Sequence, residues 1–302
     1  MNTASRPGRE SVAQRGWLAA HKWLILRRLS QTLILGLFLA GPLAGIWIVK
    51  GNLASSLILG ELPLTDPYIL LQSLLAGHTL AGTAIAGALI VLVFYGWLGG
   101  RAYCSWVCPL NVVTDAANWL RRRLDLREGL RITRKARYWV LAMTLVVAFA
   151  TGSIAWELVN PVTIVFRSLV FGLGFAWVVA LAVFLFDLLV SARGWCTHLC
   201  PVGAFYGLIG AVAVVRVGAT GRDDCTDCLD CYVVCPEPQV ITPALRGADD
   251  GIGPVVLGAD CTNCGRCIDV CAPDVFTFTT RFNNTPNNSG KPDEAPAMRE
   301  AA

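Results

Sequence analysis

The sequence predicts a membrane protein built mainly from α-helices, four of them transmembrane and paired as two repeated hairpins, followed by a small α+β domain rich in cysteine. Three observations carry that prediction. The chain of 302 residues is 55% hydrophobic and only 15% charged, too apolar for an ordinary soluble protein. Four uncharged runs of 19 to 22 residues are long enough to cross a bilayer core. All 12 cysteines fall into spaced motifs, and none is left over as core filler.

Residues 1–29 form a basic head with Arg6, Arg9, Arg15, Lys22, Arg27 and Arg28. Leu29–Val49 follows, and with so long a head and no small-residue cleavage site it reads as an uncleaved first helix, loosened near Gly41-Pro42. From Lys50 to His78 the apolar pieces are short and broken by Pro63 and Pro67, which suits an interfacial loop with short helices. Thr79–Gly100 is the second helix, where Gly82 with Ala86 and Ala84 with Ala88 give small residues at a packing spacing of four. Leu110–Leu124 has an amphipathic rhythm, and Tyr138–Trp156 and Ser168–Phe186 are the third and fourth helices. Val202–Val215 is apolar but too short to span, so it reads as re-entrant or interfacial. The expected division is a head at 1–29, a membrane domain at 30–216, a cysteine-rich domain at 217–280 and a disordered polar tail at 281–302.

Charge fixes the orientation. The head and the 101–137 loop carry six and nine Lys or Arg, whereas the Lys50–His78 and Glu157–Arg167 loops carry one each. The positive-inside rule therefore puts both termini and the cysteine-rich domain in the cytoplasm. A basic run also suits nucleic acid, but beside a membrane helix it is a topology signal, and no nucleic-acid partner is expected. Asp187, at the cytoplasmic end of the fourth helix, is either a functional ionisable group or a salt-bridge partner of Arg193 or Arg101.

Two segments repeat. Arg101-Ala-Tyr-Cys104-Ser-Trp-Val-Cys108-Pro109 matches Arg193-Gly-Trp-Cys196-Thr-His-Leu-Cys200-Pro201, 92 residues later, and each follows the second helix of a hairpin. Cys104, Cys108, Cys196 and Cys200 thus meet the cytoplasmic face as four thiols. They suit a metal or third cluster, a redox or partner-docking motif, or a brace for the helix ends. His198 is a further ligand candidate or a structural group.

The remaining eight cysteines read Cys225-x-x-Cys228-x-x-Cys231-x-x-x-Cys235-Pro236, then Cys261-x-x-Cys264-x-x-Cys267-x-x-x-Cys271. That is the spacing of a bacterial ferredoxin with two [4Fe-4S] clusters, in which the fourth Cys of each run ligates the other cluster. Cys225, Cys228, Cys231 and Cys271 are expected to hold cluster 1, and Cys261, Cys264, Cys267 and Cys235 cluster 2. Cysteines this close are poorly placed for disulfides, and a reducing compartment disfavours them. Zinc would show two Cys-x-x-Cys pairs closing one tetrahedron.

With Leu26-Arg27-Arg28, Pro63-Leu-Thr-Asp-Pro67, Cys108-Pro109-Leu-Asn, Ala117-Asn-Trp-Leu-Arg-Arg-Arg123 and Phe186-Asp187-Leu-Leu, these motifs make the chain resemble the NapH/MauN family over nearly its whole length. That family comprises membrane iron-sulfur components of periplasmic nitrate reductase systems and their relatives. The resemblance implies a quinol dehydrogenase component in the bacterial inner membrane, drawing on the quinol pool for nitrate reduction. It also implies a NapG-like periplasmic iron-sulfur partner and a NapF-like cytoplasmic ferredoxin. Glu61, Asp66, His78 and Glu157 are the candidates for quinol binding or proton uptake, although no quinone motif is visible. A rival reading is a membrane ferredoxin for metal-centre assembly or reductive activation of a partner enzyme, in which the four repeat thiols matter most.

Overall fold

The computed structural model describes residues 7–126, 129–130, 132–171 and 174–283; the expected disordered tail beyond Asn283 lies outside the described residues. The chain is mostly helical. Short helices α1 (Arg9–Arg15) and α2 (Trp17–Ala20) lead into α3 (Lys22–Ala44). Helix α3 is long and apolar enough to cross a membrane by itself, and it is the one such helix among the described residues. It begins before Leu29 and ends before Val49. Pro42 sits in its last turn, and Gly45, at φ 73°, closes it in the left-handed conformation that favours glycine.

The next segment departs from expectation. Instead of interfacial helices, β1 (Val49–Gly51), β2 (Ser55–Ile58) and β3 (Leu62–Thr65) form an antiparallel meander, and only α4 (Pro67–Leu75) is helical. The turn chemistry decides it. Leu59 and Gly60 both take positive φ, and Glu61 N–H closes the turn on the Ile58 carbonyl at 3.1 Å, which matches the twist of a tight hairpin. Asp66 then caps α4 by accepting from Tyr68 N–H at 2.9 Å.

Helix α5 (Gly82–Leu98) buries Gly87 and Ala88, while the expected packing residues Gly82 and Ala86 are exposed. What approaches is a strand rather than a helix: a Cβ on Gly87 would lie 3.0 Å from the Thr65 nitrogen. Then come α6 (Ala102–Trp106), α7 (Leu110–Arg123), α8 (Ala136–Thr151), α9 (Ala155–Val159), α10 (Pro161–Phe171), α11 (Phe175–Leu185) and α12 (Pro201–Gly210). The expected third run is thus divided between α8 and α9, and the fourth between α10 and α11, which pack on each other. Gly174 precedes α11 at the second break. Helix α12, the expected re-entrant segment, packs on α5 and α8. It passes so near Gly100 that a Cβ there would meet the Tyr206 carbonyl at 1.9 Å.

Strand β4 (Val215–Gly218) pairs antiparallel with β5 (Thr277–Thr280), and between them lie α13 (Asp230–Val234), α14 (Ile241–Arg246) and α15 (Arg266–Val270). Val217, Val240, Ile241, Leu245, Val256, Val275 and Phe276 form the core of this unit. The basic head is part of its cover. Ser11 donates to the Asp269 carbonyl at 2.6 Å, and the Asp269 carboxylate accepts from the backbone N–H groups of Trp23 and Leu24 at the start of α3.

Candidate iron-sulfur site

The two cysteine runs fold alike. Two and four residues after Cys225 and Cys261, the chain takes positive φ, at Asp227 and Leu229 in one loop and at Asn263 and Gly265 in the other. Such reversals turn successive backbone N–H groups inward as an anion-binding nest. Tyr232 N–H reaches Cys231, Asn263 N–H reaches Cys261, and Arg266 N–H reaches Cys264. Gly265 is required on a second ground: a side chain there would meet the Trp23 ring at 2.6 Å.

Each quartet lines one cavity. Cys225, Cys228, Cys231 and Cys271 surround the first, with Leu245, Val275 and Phe276. Cys235, Cys261, Cys264 and Cys267 surround the second, with Val217, Val240 and Phe276. The fourth cysteine of each run therefore crosses to the opposite cavity.

Fit to a cluster is tested by what surrounds the sulfurs. Buried Arg27 makes no hydrogen bond through Nε or Nη1, the latter lying 3.8 Å from the Asp115 carboxylate, and buried Arg266 makes none through Nη1. Although burial pushes the Cys264 thiol up, Arg266 and Arg27 outweigh it and hold the thiol below its usual range. Cationic donors waiting beside a thiolate suit a negatively charged sulfur cluster. Among the described residues, no group of three or more His, Cys, Asp or Glu is gathered as a site for a single metal ion.

Two carboxylates join this unit to the helices. Glu237, two residues after Cys235, is 1% exposed and accepts from Arg101 Nη1 at 2.6 Å, Arg137 Nη1 at 2.8 Å and Arg134 Nε at 3.1 Å. Burial would raise its pKa, but Arg101, Gln239 and Arg137 hold it below the usual carboxylate range. Asp115 on α7 binds Arg266 at 2.7 Å and Arg28 at 2.5 Å, with Arg27 and Arg193 near by. Burial opposes the charge on Asp115 too, yet the arginines keep its pKa low. Sequence reasoning missed both hubs, because each carboxylate is far in sequence from its partners.

The repeats are alike in structure. Cys108 N–H bonds to the Tyr103 carbonyl at 3.1 Å, and Cys200 N–H to the Trp195 carbonyl at 2.9 Å, so both motifs close in a wide π-type turn. Arg101 and Arg193 then hold opposite flanks of Cys235: Arg101 binds Glu237, and Arg193 donates to the Val234 carbonyl at 2.8 Å. Neither expected salt bridge to Asp187 is the partnership found. Asp187 is buried, its Oδ1 accepts from Trp195 N–H at 2.9 Å, and its Oδ2 has no partner. His198 lies among Glu237, Arg134 and Arg137.

The four quinol candidates part company. Glu61 is exposed at the tip of the β2–β3 turn, and His78 is exposed beyond α4. Asp66 is buried, receives Tyr206 Oη at 3.4 Å, and lies close enough to Glu157 to be affected by its charge. Burial pushes Asp66 up to about 7. Sequence reasoning missed Gln72. Gln72 Oε1 accepts from Trp156 N–H at 3.2 Å, while Gln72 Nε2 and Trp156 Nε1 are buried donors without acceptors.

Cysteine cradles, inward backbone donors and a cationic surround define an iron-sulfur electron-transport protein of the ferredoxin type. The 4Fe-4S binding domain family matches residues 80–127 and 173–219, the two stretches that carry the repeated motif. The chain is 55% identical to the methylamine utilization ferredoxin-type protein MauN of Methylorubrum extorquens, over 90% of this chain and 94% of that protein. It is 52% identical to the ferredoxin-type protein NapH of Escherichia coli, over 92% and 96% respectively. Identity to MauN of Paracoccus denitrificans is 54%, over 90% and 95%. The chain belongs to the NapH/MauN family of ferredoxin-type proteins. No solved structure matches it.

Proposed function

We propose that this chain is a multi-pass protein of the bacterial inner membrane that oxidises quinol and passes electrons through two [4Fe-4S] clusters to iron-sulfur partners, in support of periplasmic nitrate reduction. Outward faces support the membrane reading. Val93, Phe94 and Trp97 on α5, Trp139, Met143 and Phe149 on α8, and Trp177 and Leu181 on α11 are large, apolar and exposed, as lipid-facing residues are. The basic segments support a cytoplasmic side for the clusters and both termini. A NapF-like ferredoxin then meets cluster 1, whose Cys228 is exposed, and a NapG-like protein serves the periplasmic side.

The observation that carries the quinol reading is a group of buried polar side chains, Asp66, Gln72 and Trp156, set among apolar helices with two donors unpartnered. Gln72 Nε2 and Trp156 Nε1 are donors for the quinol oxygens, and Asp66 is the base. Oxidation of a quinol releases two electrons and two protons. Asp66 takes one proton and Glu157, half-buried near by, the other, its carboxylate held by Asn160 and Thr163, which donate to it at 2.9 Å. Tyr206 stacks on Tyr103, with ring centroids 4.9 Å apart, and Tyr103 precedes Cys104. When bound, the clusters supply one-electron acceptors. Arg27, Arg193 and Arg266 beside cluster 2 favour its more negative, reduced form and so raise its potential. This matters because a gap of ~300 mV below quinol is about a 10⁵-fold uphill step.

The test is reduction of the purified protein by a quinol analogue, followed by EPR. Reduction by quinol, lost in Gln72→Leu, supports the reading. Clusters that stay oxidised until dithionite is added would remove quinol as the donor. The assembly or activation reading would then lead.

A further inference from the structure

We propose that the wide basic groove between the N-terminal head, α7 and the cysteine-rich domain binds the headgroup of an anionic phospholipid of the cytoplasmic leaflet. The inference rests on the membrane part of the reading above and not on quinol. The groove encloses about 1980 Å³, above the ~300–1,000 Å³ of a small-molecule site. Its walls come from α1 with the start of α3, from α7 with the turn after it, and from residues 191–193 beyond α11; Val233, Val234 and Val270 of the cysteine-rich domain close the remaining side.

Charge selects the class of ligand. Nine arginines line the groove against three aspartates. Two of the nine, Arg27 and Arg266, also flank Cys264 and are left to cluster 2. Two of the aspartates are already engaged: Asp115 accepts from Arg28 and Arg266, and Asp269 from the N–H groups of Trp23 and Leu24. Arg9, Arg122 and Arg123 are exposed and make no ion pair among the described residues, and Arg193 comes no nearer than 4.0 Å to the Asp115 carboxylate. The guanidinium fork matches the oxygens of a phosphate in pairs, so arginines without carboxylates call for that group.

Depth selects a lipid over a soluble anion. Leu24, Arg27 and Arg28 lie in the first two turns of α3, the helix long enough to cross a membrane, and the basic head and the 101–137 loop mark this as its cytoplasmic end. Basic pockets at that level bind anionic headgroups. The lining is apolar as well as cationic: Val112, Trp119, Leu126 and Leu130 are 39% to 69% exposed. Arg123 lies over the Trp119 ring, 5.6 Å from its centroid, an amphipathic pair suited to the boundary between headgroup and acyl chain. A free phosphate has no use for the apolar part.

The walls are fixed to one another. Arg121 Nη1 donates to the Leu188 carbonyl at 2.6 Å, and Leu130 N–H to the Val190 carbonyl at 2.8 Å, so α7 and the turn after it are tied to the chain that leaves α11. The head is pinned on the other side, where Gly8 N–H donates to the Asp230 carboxylate at 2.7 Å and Ser11 to the Asp269 carbonyl. A headgroup therefore enters a groove already open and spaced, and its phosphate neutralises charge that the chain leaves unpaired.

The full-length holoprotein, stripped of lipid in a neutral detergent, is titrated with phosphatidylglycerol, phosphatidylcholine or inorganic phosphate and followed by native mass spectrometry. Phosphatidylglycerol should bind in preference to phosphatidylcholine, and inorganic phosphate should not displace it. Arg122→Gln/Arg123→Gln should weaken phosphatidylglycerol binding roughly 25-fold, about fivefold for each arginine, whereas Lys135→Gln, a cytoplasmic charge outside the groove, should leave it unchanged. Equal affinity of the wild type for the two lipids, displacement by phosphate, or an equal loss in Lys135→Gln would overturn the proposal; the lipid comparison does not depend on any variant folding. Retention of the lipid-free protein on polyglutamate, undiminished by phosphatidylglycerol, would assign the groove to an acidic polypeptide and overturn it too. Recovery of the protein in the aqueous fraction without detergent would sink the membrane reading itself, whereas insertion into bilayers with no headgroup preference sinks this inference alone.

Discussion

Removing the charge of Glu237 tests how the ferredoxin unit is held to the helices. In Glu237→Gln the shape is kept, but Arg101 and Arg137, each 1% exposed, lose the carboxylate they share. Breaking a buried ion pair by removing one partner costs about 3–5 kcal/mol. The amide oxygen still accepts one bond, and Asp260 still pairs with Arg137, so the lower figure applies. With an unfolding entropy of ~2.1 cal/mol/K per residue, about 3 kcal/mol corresponds to roughly 5 °C in the unfolding midpoint. The assay is thermal unfolding in detergent, followed by loss of the visible cluster absorbance. Arg134→Gln is the control, because Arg134 is 44% exposed and its pair with Glu237 is worth less than about 1 kcal/mol. Equal midpoints for Glu237→Gln and wild type, or a loss from Arg134→Gln as large as that from Glu237→Gln, would refute the reasoning.

Arg266→Gln should lower the midpoint potential of cluster 2 by about 40–90 mV, equivalent to ~1–2 kcal/mol, and leave cluster 1 nearly unmoved; a redox titration by EPR reads both. Quinol-driven reduction should rise with pH through about 7, because Asp66 must be ionised to accept a proton, and Asp66→Asn should abolish that inflection. The same raised pKa makes ionisation costly in the folded state. Stability should therefore fall as pH rises from about 4 to about 7 and then level off, a trend that unfolding curves for Asp66→Asn should lack. Cys228→Ala, at an exposed ligand, should remove the cluster 1 signal and spare that of cluster 2, and joint loss of both would contradict two separate cradles.

What was legible in the sequence was local. The cysteines lining each cavity come three from one run and one from the other, and the repeated Cys-x-x-x-Cys-Pro motif recurs with the same turn, so short spacings pointed to both. The hairpin at Ile58–Glu61 was hidden because Leu59, a residue that rarely takes positive φ, occupies a turn position where glycine or asparagine would have signalled it. Hydropathy averaged over Ser168–Phe186 passed across the glycines that separate α10 from α11. The Glu237 and Asp115 hubs depend on partners from five distant segments, and no periodicity reports such a meeting. Asp66 and Glu157 were candidates from charge alone, while Glu61 and His78, chosen on the same ground, are exposed and apart from them.

The grip of Arg101 and Arg193 on either side of Cys235 has a consequence for ancestry. A duplicated unit offers two equivalent berths to whatever rests on it, yet a ferredoxin unit has one way round and occupies one berth. Once Arg101 had taken Glu237 and Arg193 the Val234 carbonyl, the halves ceased to be interchangeable. A chain with its two halves exchanged would keep every thiol and lose the seat.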